Sequence, residues 1–327
     1  MSLHSHIQER LALPLIAAPM FLVSGPELVK AACLNGVIGA FPSLNARPIE
    51  TFAAWLEEIS GSLEAARAAD PAAKIAPYAV NLIVHKSNPR VEEDTALTAQ
   101  FEAPVVITSV GHPGDVVDTV HAYGGVVYHD VIHLHHARKA VEAGVDGIIL
   151  VTAGAGGHAG TINPFTLIPQ VREFFDGTII LAGALTDGRA IRAAQTLGAD
   201  LAYMGTRFIA TDESLADDGY RQMLIDGTTQ DIVYTNKVSG IWGNFLRQSL
   251  AEAGIQVDVP SNKPVDMDLV KKAEEASTNP KKAAWKEIWS AGHGVGQIHD
   301  SLPVAELIAR LRREYADAVA DSGPVYG

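Results

Sequence analysis

Between residue 13 and about residue 225 the chain repeats one unit eight times: a short apolar run, a turn holding Gly, Pro, Asn or Asp, and an amphipathic stretch with helical spacing. The first four pairs are 13–20 with 26–34, 37–41 with 48–69, 78–84 with 91–100, and 105–110 with 115–122. The other four are 126–131 with 135–143, 148–151 with 165–175, 178–181 with 188–197, and 201–208 with 214–224. Strands alternating with helices through short connections imply parallel strands joined by right-handed crossovers. Eight such pairs in just over 200 residues predict an α/β fold, a closed (β/α)8 barrel of the TIM type rather than an open doubly wound sheet. The apolar runs are continuous and rich in β-branched residues, as strands buried on both faces require.

The helix boundaries agree. Ser24-Gly25-Pro26-Glu27 offers an N-cap candidate with proline in the first turn, and Gly36 can stop the same helix. Gly144 and Gly198 end two later helices, each followed two residues on by an aspartate, Asp146 and Asp200, at the next strand's entrance. Beyond Gly227 the repeat is lost. Residues 228–297 read as a smaller, mostly helical insertion covering the barrel mouth, which leaves 1–227 and 298–327 as the barrel. The last amphipathic helix, 301–319, is expected on the outside, 260–266 as a plain linker, and Trp242, Trp285 and Trp289 as a small core of the cap.

Composition narrows the function classes. The 327 residues can bury a sizeable core, and although 47 % are apolar, no uninterrupted apolar run approaches the ~20 residues of a membrane span. The first twenty residues lack the basic and long apolar regions of a secretory signal, and the single Cys33 cannot form an internal disulfide. A soluble, cytoplasmic protein is expected. With a net charge of −13 and no basic stripe, nucleic acid and membrane surfaces are not expected as partners. The one cationic run, Lys271-Lys272 to Lys281-Lys282, is interleaved with Glu274 and Glu275 and reads as a solvated helix face.

In such a barrel the loops after the strands build the site. They supply Pro19-Met20 after the first strand, Asn81 in the third, Ser109 and Gly111 at the fourth, and His129-Asp130 in the fifth. The sixth run opens into Gly154–His158 within GIILVTAGAGGHAG (147–160), where glycines let backbone amides approach an anion or a planar ring and His158 can move a proton near neutral pH. Gly183, followed by Ala184, and Met204-Gly205-Thr206 end the last two strands. Glycines there, with a nearby helix start and the Thr206 hydroxyl, form a phosphate-binding signature. His129, Asp130, His133, His135 and His136 raise the alternative of a metal hydrolase, but they span a strand, a turn and a helix start and so cannot all converge. They read as capping or exposed groups, with no metal expected. His4, His85, His112 and His121 have no partner identifiable from the sequence, and Tyr78 and Tyr203 can face either way.

The motifs AAPM (17–20), VNL (80–82), AGGHAG (155–160), AGALTDGRA (182–190), YMGTRF (203–208) and WSAGHGVGQI (289–298) resemble those of the nitronate monooxygenase or 2-nitropropane dioxygenase family. The resemblance spans nearly the whole chain. It implies an FMN-dependent barrel flavoprotein related to flavin-dependent enoyl reductases and an NADH:quinone reductase. Carried over by position, it implies that Met20 contacts the isoalloxazine, Asn81 its polar edge, and Gly156-Gly157 close on the flavin. Gly183, Gly205 and Thr206 would take the phosphate and His158 would be the catalytic base, with Pro19, Asp130, Ala184 and Met204 as further cofactor-binding candidates. The implied reaction oxidises an alkyl nitronate or nitroalkane with O2 or another electron acceptor, giving a carbonyl compound and nitrite. An NAD(P)H-dependent quinone or enoyl reductase on the same flavin is the alternative, and a homodimer is an assembly left open. Two positions depart from the family: Asp130 stands where relatives often carry Lys, and His293 where many carry Gln.

Overall fold

The computed structural model describes residues 3–257 and 288–321. Eight parallel strands close in chain order: β1 (Leu15–Ala17), β2 (Ile38–Pro42), β3 (Tyr78–Ile83), β4 (Val105–Ser109), β5 (Val126–Val131), β6 (Gly147–Val151), β8 (Thr178–Ala182) and β9 (Leu201–Met204). β9 returns to β1, with Leu15 opposite Ala202, so no strand edge remains in the barrel. A two-residue strand, β7 (Gly157–His158), lies outside it.

The pleat explains the unbroken apolar runs. On β6, Ile149 joins Ile16, Ile107, Ile180 and Leu201 inside the barrel, whereas Ile148 and Leu150 join the layer beneath the outer helices. Both faces are dry, so neither alternates with polar residues. The short helix α1 (Ser5–Gln8) closes the bottom by placing Ile7, fully buried, among the inward side chains. Tyr128 fills the interior beside Gly147, where an added Cβ would stand 2.5 Å from the Tyr128 ring. Gly147→Ala is therefore expected to destabilise the fold by about 1–3 kcal/mol through overpacking. Thermal unfolding checks this, and the penalty should shrink when Tyr128→Leu opens the space.

α2 (Pro26–Leu34), α3 (Ile49–Ala69), α4 (Val91–Gln100), α5 (Gly114–His121), α6 (Leu134–Glu142), α7 (Pro164–Arg172) and α8 (Gly188–Leu197) follow their strands as the repeat predicts. Gly25, not Ser24, caps α2. The Ser24 hydroxyl instead accepts from the Met20 amide. The two aspartates after Gly144 and Gly198 do matching work: Asp146 accepts from the Val127 amide at 2.7 Å and Asp200 from the Ile179 amide at 2.8 Å. Each ties its turn to the strand before it.

The eighth run departs from expectation. The strand stops at Met204, the chain turns at Gly205, and Thr206–Ile209 form α9. Phe208, expected on the strand, is instead fully buried in the outer cluster with Leu28 and Leu307, and Arg207 pairs with Asp300 at 2.6 Å. α10 (Asp218–Asp226) follows.

The described residues of 228–297 include a hairpin of β10 (Ile232–Thr235) and β11 (Gly243–Leu246), followed by α11 (Arg247–Glu252), while 258–287 of the expected helical insertion lie outside the described residues. Ile-Val-Tyr-Thr is a β-branched and aromatic run that favours a strand, and β7 extends the pair into a three-stranded sheet. Trp242 is half exposed and stacks on Tyr234 with ring centroids 5.0 Å apart, so it is not core. The linker at 260–266, the lysine run and Trp285 lie outside the described residues. α12 (Val304–Ala320) packs outside the barrel, largely on α8. Among the described residues no helix is long and apolar enough to cross a membrane.

Candidate active site

The strand ends and the 288–294 segment enclose a cavity of about 280 Å3 at the C-terminal mouth of the barrel, close to the lower end of the ~300–1,000 Å3 range of ligand clefts. Eleven of the twelve expected site residues line it: Pro19, Met20, Asn81, Asp130, Gly156, Gly157, His158, Gly183, Ala184, Gly205 and Thr206. Met204 does not. On β9 its side chain points outward and is buried with Leu15 and Phe208, because alternation sends its neighbour Tyr203 inward. Tyr78 faces the outer layer.

One corner is made of backbone. Gly183 has φ 136°, and a Cβ there would stand 2.6 Å from the Thr152 hydroxyl oxygen. Ala184 follows at φ 55°, a left-handed conformation uncommon for a residue with a Cβ. Both residues line the cavity, so this corner offers a ligand backbone and no long side chain. Of the two helix starts nearby, that of α8 is capped by side chains, Asp187 accepting from the Ala190 amide and Glu314 from the Gly188 amide, whereas that of α9 has no side-chain cap and begins at Thr206, on the cavity. Thr206 accepts from the Gly292 amide at 3.0 Å, which leaves its O–H to donate.

The AGGH loop is clamped from a distant segment. The His293 amide donates to the Gly154 carbonyl, Asn244 Nδ2 to the Ala155 carbonyl at 2.6 Å, and β7 pairs with β11. A Cβ on Gly156 would stand 2.8 Å from the Gly292 amide, and one on Gly292 2.5 Å from the Gly154 carbonyl, so both must be glycine for the two loops to touch. The His293 side chain itself is exposed and does not line the cavity.

His158 lines the cavity with Nε2 3.1 Å from the Ser239 hydroxyl, and burial lowers its pKa below the usual value, so the imidazole is neutral at pH 7. Across the cavity a polar chain runs through the barrel wall. Asn81 Nδ2 donates to Ser109 Oγ at 2.8 Å, and Ser109 donates to Asp130 Oδ2 at 2.5 Å. Asn81 Nδ2 also donates to the Ile107 carbonyl, so what Asn81 offers a ligand is its oxygen. The apolar side includes Met20, Phe21, Ile209 and a stacked pair, Tyr220 on Trp289 at 5.0 Å and 7°. Sequence reasoning missed Tyr220, Asn244 and Gly292, whose roles depend on how 288–294 returns to the barrel.

The other histidines are placed individually. His129 is buried with Nδ1 2.8 Å from the Thr108 hydroxyl, and His133 caps α6 by accepting from the His136 amide. His121 and His4 both face Asp146, while His85 bonds Ser87 and His112 the Gly114 amide, so all four have partners that the sequence did not reveal. Among the described residues no group of three or more His, Cys, Asp or Glu side chains could hold a metal ion.

His129 and Asp130 are shifted oppositely by burial, to about 4 and about 6. As pH falls below 6.5 the unfolded chain protonates His129 while the fold resists, which costs stability. Asp130 takes its proton in the fold before it does so unfolded, which restores stability between about pH 6 and 4. The two largely cancel. Asp130→Asn is expected to steepen the loss of Tm from pH 6 to 4, and His129→Gln to reverse it, in a pH series of thermal melts.

A corner built of backbone, an apolar side and an imidazole kept neutral by burial thus meet in one cavity at the mouth of the barrel. The chain matches the nitronate monooxygenase family over residues 5–314 and belongs to that family of flavin-dependent oxidoreductases. It is similar to the nitronate monooxygenase of Paraburkholderia phytofirmans, at 28 % identity over 94 % of this chain and 93 % of the relative. The fold is that of FabK from Thermotoga maritima, at a TM-score of 0.78, 22 % identity and 98 % coverage of both chains. A nitroalkane oxidase from Streptomyces ansochromogenes aligns at a TM-score of 0.75 and 21 % identity, over 97 % of this chain and 99 % of that one.

Proposed function

We propose that the protein is an FMN-dependent oxidoreductase that oxidises nitroalkanes and alkyl nitronates with O2 to carbonyl compounds and nitrite, with His158 as the base. The observation that carries this reading is that His158, neutral through burial, shares one cavity with the Gly183–Ala184 backbone corner. FMN fits this site through backbone: Gly183, Ala184, Gly205 and Thr206 would hold the phosphate by amides and a hydroxyl, and Met20, Gly156 and Gly157 would border the ring. When bound, the flavin supplies the electron acceptor. His158 accepts the proton from the carbon bearing the nitro group, and Ser239 keeps the imidazole oriented. Tyr220, Trp289 and Ile209 exclude water around the alkyl group. Anaerobic mixing of the purified yellow protein with a nitroalkane, its nitronate, NADH and NADPH in turn tests the reading. The nitro compounds should bleach the flavin. Bleaching by NAD(P)H alone would make the protein a reductase instead.

A further inference from the structure

Asp130 is the feature that the reaction above leaves unused. It lines the cavity, Oδ2 accepts one hydrogen bond from Ser109, and Oδ1 is shut off from water with no partner among the described residues. A buried carboxylate oxygen left bare is costly, so it calls for a proton or a donor from whatever fills the cavity. The protein supplies neither. The groups facing it are Ser109 on β4, Tyr203 on β9, whose phenol is held neutral by burial and by Asp130 itself, and, through Ser109, Asn81 on β3. Its neighbour on β5, His129, is kept neutral by burial and turned to Thr108. Neither lysine nor arginine lines the cavity among the described residues.

We infer that this pocket takes its nitro substrate as the neutral nitroalkane in preference to the preformed nitronate anion, and that Asp130 sets the preference as the one carboxylate among the described residues lining the cavity, with no compensating cation among them. The inference rests on the reading of the cavity as a flavin site for nitro compounds and narrows it. A second negative charge entering beside Asp130, whether on the ligand or on the reduced ring, is repelled until the carboxyl takes up a proton. A neutral nitroalkane meets no such barrier, and its proton passes to His158 only after it is bound. Burial has already raised Asp130 to about 6, so proton uptake is within reach near neutral pH.

The test compares flavin-loaded wild-type protein with Asp130→Asn, which keeps size and shape. The first readout is the flavin midpoint potential from pH 6 to 8.5. Wild type should follow pH more steeply than the variant by up to one proton, tenfold per pH unit in the reduction equilibrium or about 30 mV for a two-electron couple. The second is the ratio of kcat/KM for nitroethane and for ethylnitronate at pH 8. Wild type should favour nitroethane at least tenfold, and Asp130→Asn should move the ratio toward the nitronate at least tenfold. Should Asp130→Asn fail to fold, Ser109→Ala removes the donor on Oδ2 and should shift the extra proton step to higher pH. Parallel potential slopes, or a nitronate preference in wild type that the variants leave in place, overturn the inference while leaving the proposed function standing. A chain without flavin, or one that oxidises neither compound, overturns both.

Discussion

Replacing His158 by alanine is expected to lower kcat/KM for a neutral nitroalkane by about 10²–10⁴-fold, the contribution typical of a positioned general base. The flavin should remain bound, since the corner proposed to hold its phosphate, at Gly183–Ala184, lies on another loop. Oxidation of the preformed nitronate should fall far less, because its proton has already left. The pH profile carries a second signature. Burial lowers the imidazole pKa, so the base stays deprotonated as pH falls through 6.5, and nitroalkane turnover should decline only below that value. Steady-state rates with both substrate forms across pH check this; equal losses on both would remove His158 from proton transfer and leave it a binding group.

Gly205→Val is expected to leave the barrel folded and to weaken FMN binding at least 100-fold, about 2.7 kcal/mol. The backbone at Gly205 has φ −102°, which any residue can adopt, and the nearest neighbours of an added Cβ would be Ala18 Cβ and Met20 Sδ at 3.7 Å, ordinary contact distances. The valine methyls would then fill the space beside the Thr206 hydroxyl where the phosphate is proposed to sit. Gly183 is a poorer probe, because any Cβ there collides with Thr152 and a loss of flavin would be confounded with misfolding. Fluorescence titration of the apo chain with FMN, beside a thermal melt, separates the two. An unchanged dissociation constant would place the phosphate elsewhere.

The barrel was legible because its signal is local and repeated: the buried strands are largely apolar runs, and several helices announce their ends with a glycine such as Gly144 or Gly198. The strand-end residues were legible because closure of the barrel brings them to one mouth wherever they stand in the chain. Other features were not. Met204 and Tyr203 differ only in the parity of the pleat at the end of a short strand, which sequence does not fix when both neighbours are apolar. Trp242 reads as core by size yet sits on a hairpin edge, and the capping of α8 by Glu314 joins residues 126 positions apart. The partner of His4 is equally non-local, since Asp146 lies 142 positions on (146 − 4), and that of His121 lies 25 positions away in the next strand–helix unit.

The clasp between the AGGH loop and residues 291–294 has a thermodynamic corollary. His158 is held through β11 and the loop behind it through Gly292, so any ligand that settles in the mouth also cements these remote pieces to the barrel. By mass action, occupancy stabilises such an arrangement by RT ln(1 + [L]/Kd), about 2.7 kcal/mol at a hundredfold excess over Kd. Cofactor loading should accordingly register as slower amide exchange in the 243–246 strand, which does not itself line the cavity, before it registers anywhere on the far side of the barrel.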